Sequence, residues 1–276
     1  MTSSSARLHH RADGPTSGPP VLLGPSLGTT LHVWDELVPM LARRHRVLRF
    51  DLPGHGGTAA DVVPAKASTA AAVVPAGVSM AALADLVLEL ADGYGYARFA
   101  YAGISLGGAI GAHLGVHHPD RLTALALVCS SARFGEPQGW HERIAVIGEQ
   151  GMAPMVARGA EPWFAPGFVQ RAPERVRGLL ADLATVDPVG YAACCAALGG
   201  FDLRADLGRI SAPTLVVAGL EDIATPPTHA RELADGIPGA TLVELAQAGH
   251  LAVIEQPAAV SQALTAHFEA RDSTAR

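Results

Sequence analysis

The sequence predicts an α/β fold: a mostly parallel central sheet flanked by helices, with a helical cap inserted between two parts of the sheet. Three observations predict it. Short apolar runs alternate with amphipathic stretches, the pattern of a parallel sheet covered on both faces. That rhythm stops after Val128 and resumes at Pro213, with only helical stretches between. Ser105, Asp222 and His250 each follow directly on a predicted strand, where an α/β sheet gathers its chemistry.

The elements follow in order. Pro20–Leu23 (PVLL) is a strand and runs into the glycine-containing turn GPSLGTT. Arg46–Phe50 (RVLRF) is the next strand, ended by DLPGHGG. Ser79–Asp92 is helical, because Leu83, Leu86, Val87 and Leu90 recur at the helical period. Phe99–Ala102 is a short buried strand, Leu106–His118 a helix closed by Pro119, and Leu122–Val128 (LTALALV) a strand. Residues 133–206 form the cap, so the core comprises 1–132 and 207–276. The second part of the core holds the strand Pro213–Ala218, a helix near Thr228–Gly236, the strand Ala240–Leu245 and a last helix from Pro257 to Ala270. Residues 58–78, rich in Ala, Val and Pro, read as a long loop and a passive insertion.

Composition sets the broad class. A chain of 276 residues that is 49% hydrophobic and 17% charged can bury a sizeable core and is not of the disordered type. Its net charge of -6 provides no basic field for nucleic acid or an anionic membrane. Cys129, Cys194 and Cys195 are too few for a disulfide framework and lack zinc-site spacing, and the last two are expected to pack as small apolar residues. The N-terminus has no secretory pattern, and the apolar run Ala67–Ala84 is broken by Pro75 and Gly77. The expectation is a cytoplasmic protein with neither nucleic-acid nor membrane partners.

The chemistry centres on Gly103-Ile104-Ser105-Leu106-Gly107, set between a strand and a helix. That setting forces the serine into a strained backbone conformation and lifts its hydroxyl clear of both elements. A serine hydroxyl needs a base, and His250 in QAGHL stands directly after a predicted strand. His9, His10, His45, His117 and His118 read as surface positions, and His55 in DLPGHGG as part of a structural turn. Asp222, after PTLVVA, is the carboxylate to orient the histidine. Its neighbour Glu221, one position off, would point elsewhere. The chain order Ser, acid, His is that of the α/β-hydrolases. For the oxyanion, the backbone N–H of Leu106 is one expected donor, and that of Leu27, in the loop after PVLL, is the other.

Beyond these single residues, the chain resembles the 3-oxoadipate enol-lactonases, lactone hydrolases of the α/β-hydrolase superfamily that serve the protocatechuate branch of the β-ketoadipate pathway. The resemblance runs from about Leu8 to Phe268. SLGTTLHVWD, GISLGGAIG, GYAACCAALGGFDLR, APTLVVAGLEDIATPP and AGHLAVIEQP carry it. It implies a Ser105–His250–Asp222 triad, an anionic enol-lactone substrate, an acyl-enzyme intermediate, and no metal or organic cofactor. Such a substrate calls for a local cation, and Arg133 and Arg143 are candidates, with Trp140 as a pocket wall. The chain departs from the family at Pro25 before Ser26, at Ala112-His113 in the elbow helix, and in its longer 58–78 stretch. The alternative is another esterase, lactonase or perhydrolase on the same scaffold. A ligand-sensing protein is less favoured, since a pure binding module has no need of all three residues.

Overall fold

In a computed structural model the chain is described over residues 7–63 and 78–272. The first part of the core comprises β1 (His10–Asp13), β2 (Pro20–Gly24), α1 (Val38–Leu41), β3 (Arg46–Phe50), α2 (Met80–Gly93), β4 (Phe99–Ile104), α3 (Leu106–His117) and β5 (Leu122–Val128). Five helices follow: α4 (Pro137–Gln150), α5 (Ala153–Ala157), α6 (Phe168–Arg171), α7 (Pro173–Thr185) and α8 (Pro188–Gly199). The sheet then resumes with β6 (Thr214–Gly219), α9 (Pro227–Gly236), β7 (Thr241–Leu245), α10 (Ala252–Glu255) and α11 (Pro257–Asp272).

The strands form one sheet in the order β1-β3-β2-β4-β5-β6-β7. Every neighbouring pair is parallel except β1 with β3. Side chains alternate across it as the strand period requires. Leu22, Leu48, Tyr101, Leu125 and Leu127 enter the core on one face. Val21, Leu23, Val47, Ala100 and Ala126 enter the core on the other. Each fully buried Leu or Val contributes about 1.5–3 kcal/mol relative to exposure, so register is strongly specified on both faces.

The antiparallel edge strand β1 (HRAD) lies outside the elements expected from sequence. Three of its four residues are charged or titratable, so no apolar run marks it. Pairing with β3 makes it a strand, and Asp13 on β1 accepts from the buried Arg49 of β3 at 3.1 Å. His45, read as a surface residue, is only 1% exposed. Its ring packs edge-on against Phe268 of α11 at 6.0 Å, a contact that only the closed fold creates. Of the expected 58–78 loop, residues 64–77 lie outside the described residues.

The helical segment between β5 and β6 is closed at its neck. Arg133 and Asp202 form an isolated antiparallel bridge, and the Leu203 N–H donates to the Ala132 carbonyl at 2.9 Å. Cys194 and Cys195 are buried within α8, and burial raises both thiol pKa values, that of Cys195 to about 12. Among the described residues no single helix is long and apolar enough to cross a membrane.

Parallel pairing has the consequence that positions the site. The carboxyl ends of β2, β4, β5, β6 and β7 all face one edge, so the segments after them meet there.

Candidate active site

Ser105 occupies the single position between β4 and α3, with φ 54° and ψ −113°. A non-glycine residue holds such a conformation only when its surroundings enforce it. Here they do: the Ser105 N–H donates to Val128 O at 2.9 Å, and its carbonyl accepts from Ala109 N–H and from Ser130 Oγ–H. Two glycines allow the sharp turn. A Cβ on Gly103 would stand 2.1 Å from the Gly107 backbone, and one on Gly107 would stand 2.3 Å from Gly24 O.

Asp222 stands in the turn after β6 and is 3% exposed. Its Oδ1 accepts the N–H groups of Ala224 and Thr225 at 2.8 and 2.9 Å, an Asx-type turn. Its Oδ2 accepts the Thr225 hydroxyl at 2.7 Å and lies 2.9 Å from His250 Nδ1. Burial pushes the Asp222 pKa up, but the charge of His250 and the bonds from His250 and Thr225 outweigh it. The net shift is downward, so the carboxyl is held ionised. Glu221, by contrast, is exposed. An ionised carboxylate only accepts, so the proton of the neutral imidazole sits on Nδ1 and Nε2 is left as the basic atom. Thr225 Oγ1, 3.2 Å from Nδ1, lies against the same ring nitrogen. Thr225 escaped the sequence reading, although a hydroxyl three residues after an Asp in a turn is a recognisable signal.

The loop carrying His250 is held from the cap side. Glu255 accepts Gly249 N–H at 2.5 Å and Ala165 N–H at 2.9 Å, and Leu251 N–H donates to Trp163 O at 2.8 Å. The Cys129 thiol, which lies near Gly249 O, is buried and its pKa is raised by that burial, so it is not a competing nucleophile.

Backbone donors near Ser105 sort themselves by what already occupies them. Gly107 N–H donates to Pro25 O at 3.1 Å, and Gly28 N–H to His55 Nε2 at 3.0 Å. Among the described residues no acceptor takes the N–H of Leu27 or of Leu106, which opens α3. Leu27 and Ser105 line one cavity with His250.

That cavity, of about 830 Å³, lies under the cap. This is an ordinary size for a small-molecule site. Trp140, Arg143, Arg158, Trp163 and Tyr191 line it from the cap side. The Arg143 guanidinium stacks 4.7 Å above the Trp140 ring, whose Nε1–H is engaged by Phe134 O at 2.5 Å. Among the described residues neither Arg143 nor Arg158 has a carboxylate within ion-pair distance. The expectation for Arg133 is corrected. It does not line the cavity, and it lies 2.5 Å from Glu136 and 3.9 Å from Asp202, so its charge is spent on the neck of the cap. Sequence could not separate it from Arg143, because the bridge to Asp202 spans 69 residues of chain. Arg158, unmarked by any motif, is a second cation in the cavity wall. Among the described residues no cluster of three or more His, Cys, Asp or Glu is placed to hold a metal ion.

A strained serine between strand and helix, with an Asp and a His brought in after later strands, defines an α/β hydrolase. The family model described as alpha/beta hydrolase fold matches residues 19–257, and the chain belongs to that family. Within it, the resemblance to the 3-oxoadipate enol-lactonases holds over nearly the whole chain. The chain is 33% identical to 3-oxoadipate enol-lactonase 2 of Acinetobacter baylyi over 266 residues, 96% of this chain and 94% of the relative. The crystal structure of the enol-lactonase from Burkholderia xenovorans LB400 matches with a TM-score of 0.86 at 33% identity, over 95% of this chain and 96% of that one. A thermophilic esterase from Thermogutta terrifontis, solved with malate bound, matches with a TM-score of 0.85 at 25% identity, over 96% and 93% of the two chains.

Proposed function

We propose that this hydrolase opens 3-oxoadipate enol-lactone to 3-oxoadipate, with Ser105 as nucleophile, His250 as general base and acid, and Asp222 as its orienting carboxylate. The observation that carries the mechanism is the placement of Ser105, at φ 54°, in one cavity with a His250 whose Nδ1 lies 2.9 Å from Asp222. The likeness to enol-lactonases supports the substrate.

Ser105 Oγ attacks the ring carbonyl while His250 Nε2 takes its proton. The N–H groups of Leu27 and Leu106 receive the oxyanion. Collapse breaks the ring C–O bond and expels an enol oxygen, which His250 protonates, and the enol tautomerises to the ketone. Water, deprotonated by His250, then cleaves the acyl-enzyme. Arg143, stacked on Trp140 and lacking a carboxylate partner among the described residues, binds the acetate side chain of the lactone.

The test is turnover of purified protein on the enol-lactone beside a panel of neutral aryl esters. Lactone hydrolysis that is abolished in Ser105→Ala is the expected result. Aryl-ester turnover without lactone turnover would assign the site to another ester, the reading that the esterase match favours. Undiminished lactone hydrolysis by Ser105→Ala would overturn the mechanism.

A further inference from the structure

We infer that His55 is a positioning residue for catalysis: by accepting the Gly28 N–H it fixes the turn that aims the Leu27 N–H at the oxyanion. The inference rests on the proposed Ser105 mechanism and concerns the DLPGHGG turn, to which that mechanism assigns nothing.

Ser26–Thr29 is a tight turn, closed by Thr29 N–H donating to Ser26 O at 3.1 Å. Its third residue, Gly28, has φ +82°, the form of a type II turn. Such a turn has a competitor of similar energy in which the middle peptide is flipped, so something must hold that peptide. Here the Gly28 N–H, which belongs to it, donates to His55 Nε2 at 3.0 Å. The peptide just upstream carries the free N–H of Leu27. Holding one therefore holds the direction of the other.

His55 is built for this task. Its Nδ1 lies 2.8 Å from the Pro53 carbonyl, which can only accept, so Nδ1 bears the proton and Nε2 is an acceptor. The ring is 0% exposed and stacks on Tyr191 of α8, centroids 6.0 Å apart and planes at 19°. Burial pushes its pKa down to about 4, which keeps the ring neutral and its Nε2 lone pair available at working pH. A buried histidine that served only to fill space would not need one defined tautomer bonded at both nitrogens. The same turn grips the oxyanion loop a second time, because Asp51 Oδ1 accepts Leu31 N–H at 2.6 Å. Asp51 Oδ2 in turn is tied to Gly57 N–H and His9 Nδ1. From above, the cap lies close over Gly28, where a Cβ would meet the end of the Leu183 side chain at 2.9 Å. The turn is thus held from two sides, and His55 supplies the only side-chain acceptor for its middle peptide among the described residues.

The experiment compares His55→Leu, which removes the acceptor, with His55→Gln, whose amide oxygen restores one. Rates are normalised to sites titrated with a fluorophosphonate that labels Ser105, so loss of folded protein does not count as loss of catalysis. His55→Leu should lower kcat on an aryl ester or the lactone by about 10- to 100-fold, below the full loss of an oxyanion donor, with KM within about threefold. Affinity for a trifluoromethyl ketone, whose adduct carries the oxyanion, should fall by a similar factor. His55→Gln should recover most of both. An unchanged kcat per titrated site in His55→Leu, or a Gln variant as impaired as Leu, would overturn the inference. Should His55→Leu yield no folded protein, nitrogen-15 spectra of the wild-type imidazole decide: a proton on Nε2 instead of Nδ1 refutes it. If the wild-type protein itself is neither labelled nor active, the Ser105 mechanism has failed and not this assignment alone.

Discussion

The Leu251 N–H donates to the carbonyl of Trp163 at 2.8 Å, and this one bond ties the loop that carries His250 to the cap. Glu255 secures the same junction with both carboxylate oxygens, one on Gly249 N–H and one on Ala165 N–H. The position of His250 is therefore set by the cap as well as by the sheet.

Replacing Glu255 by Ala leaves two N–H groups without their acceptor, and each half-buried orphan costs about 1–3 kcal/mol. For a chain of this size the expected fall in Tm is roughly 5–10 °C. Because the orphaned groups flank His250, kcat/KM should fall about tenfold even at a temperature where the variant is fully folded. Calorimetry and steady-state kinetics on the same sample separate the two effects. Unchanged kinetics would show that the junction is structural only.

Asp222 links stability and activity to pH. Its folded pKa lies below its ordinary value of 3.8, so the native state favours the charged form. The sign follows directly: the unfolded chain binds this proton more readily, so the contribution is complete above 3.8 and is lost as pH falls through the lowered folded value. Asp222→Asn should flatten that acid limb in denaturant titrations from pH 5 down to pH 2. At neutral pH it should reduce kcat on the order of 10⁴-fold, because the amide no longer selects the Nδ1–H tautomer.

Arg143→Ala should raise KM for the anionic lactone roughly 10- to 100-fold, the worth of a bond to a charged group, while kcat changes by less than about threefold. The KM of a neutral aryl ester should hardly move. Arg143→Lys should not restore the lactone KM fully, because an ammonium cannot reproduce the planar stack 4.7 Å above Trp140. Equal changes for both substrates would point to a packing role.

Gly103→Ala introduces a methyl 2.1 Å from the Gly107 backbone and should cost about 3 kcal/mol or more, with loss of activity as the elbow shifts. A methyl on Gly139, inside α4, would instead meet nothing within 4 Å. Gly139→Ala should therefore stabilise by roughly 0.5–1 kcal/mol, since alanine loses less entropy in a helix. Thermal melts of the two variants give shifts of opposite sign if the contact at Gly103 is the cause.

Strands β2, β4, β5 and β6 were legible because parallel strands buried on both faces are written as near-continuous apolar runs, and β3 and β7 because short apolar stretches recur in the same rhythm. The neighbourhood of Ser105 was legible because a strand, a small-residue turn and a helix leave a local pattern. Edge strand β1 was not, since HRAD is polar and becomes a strand only against β3. His45 read as exposed because its burial comes from Phe268, far along the chain. Thr225 left a faint local trace; Glu255 falls within AGHLAVIEQP, but nothing local says which N–H groups it accepts, and Arg158 left no trace.

By itself, then, the sequence determined the α/β architecture and marked Ser105, Asp222 and His250 as candidates that the fold brings to one edge of the sheet, because periodicity and turn chemistry are local properties. Tertiary structure alone decided that Arg143 and not Arg133 faces the cavity, that Gly28 N–H is taken while Leu27 N–H has no acceptor among the described residues, and that the cap holds the His250 loop. The physical reason is the same in each case. Which partner a charge or an N–H finds depends on segments far apart in the chain, and only packing brings them within about 3 Å of each other.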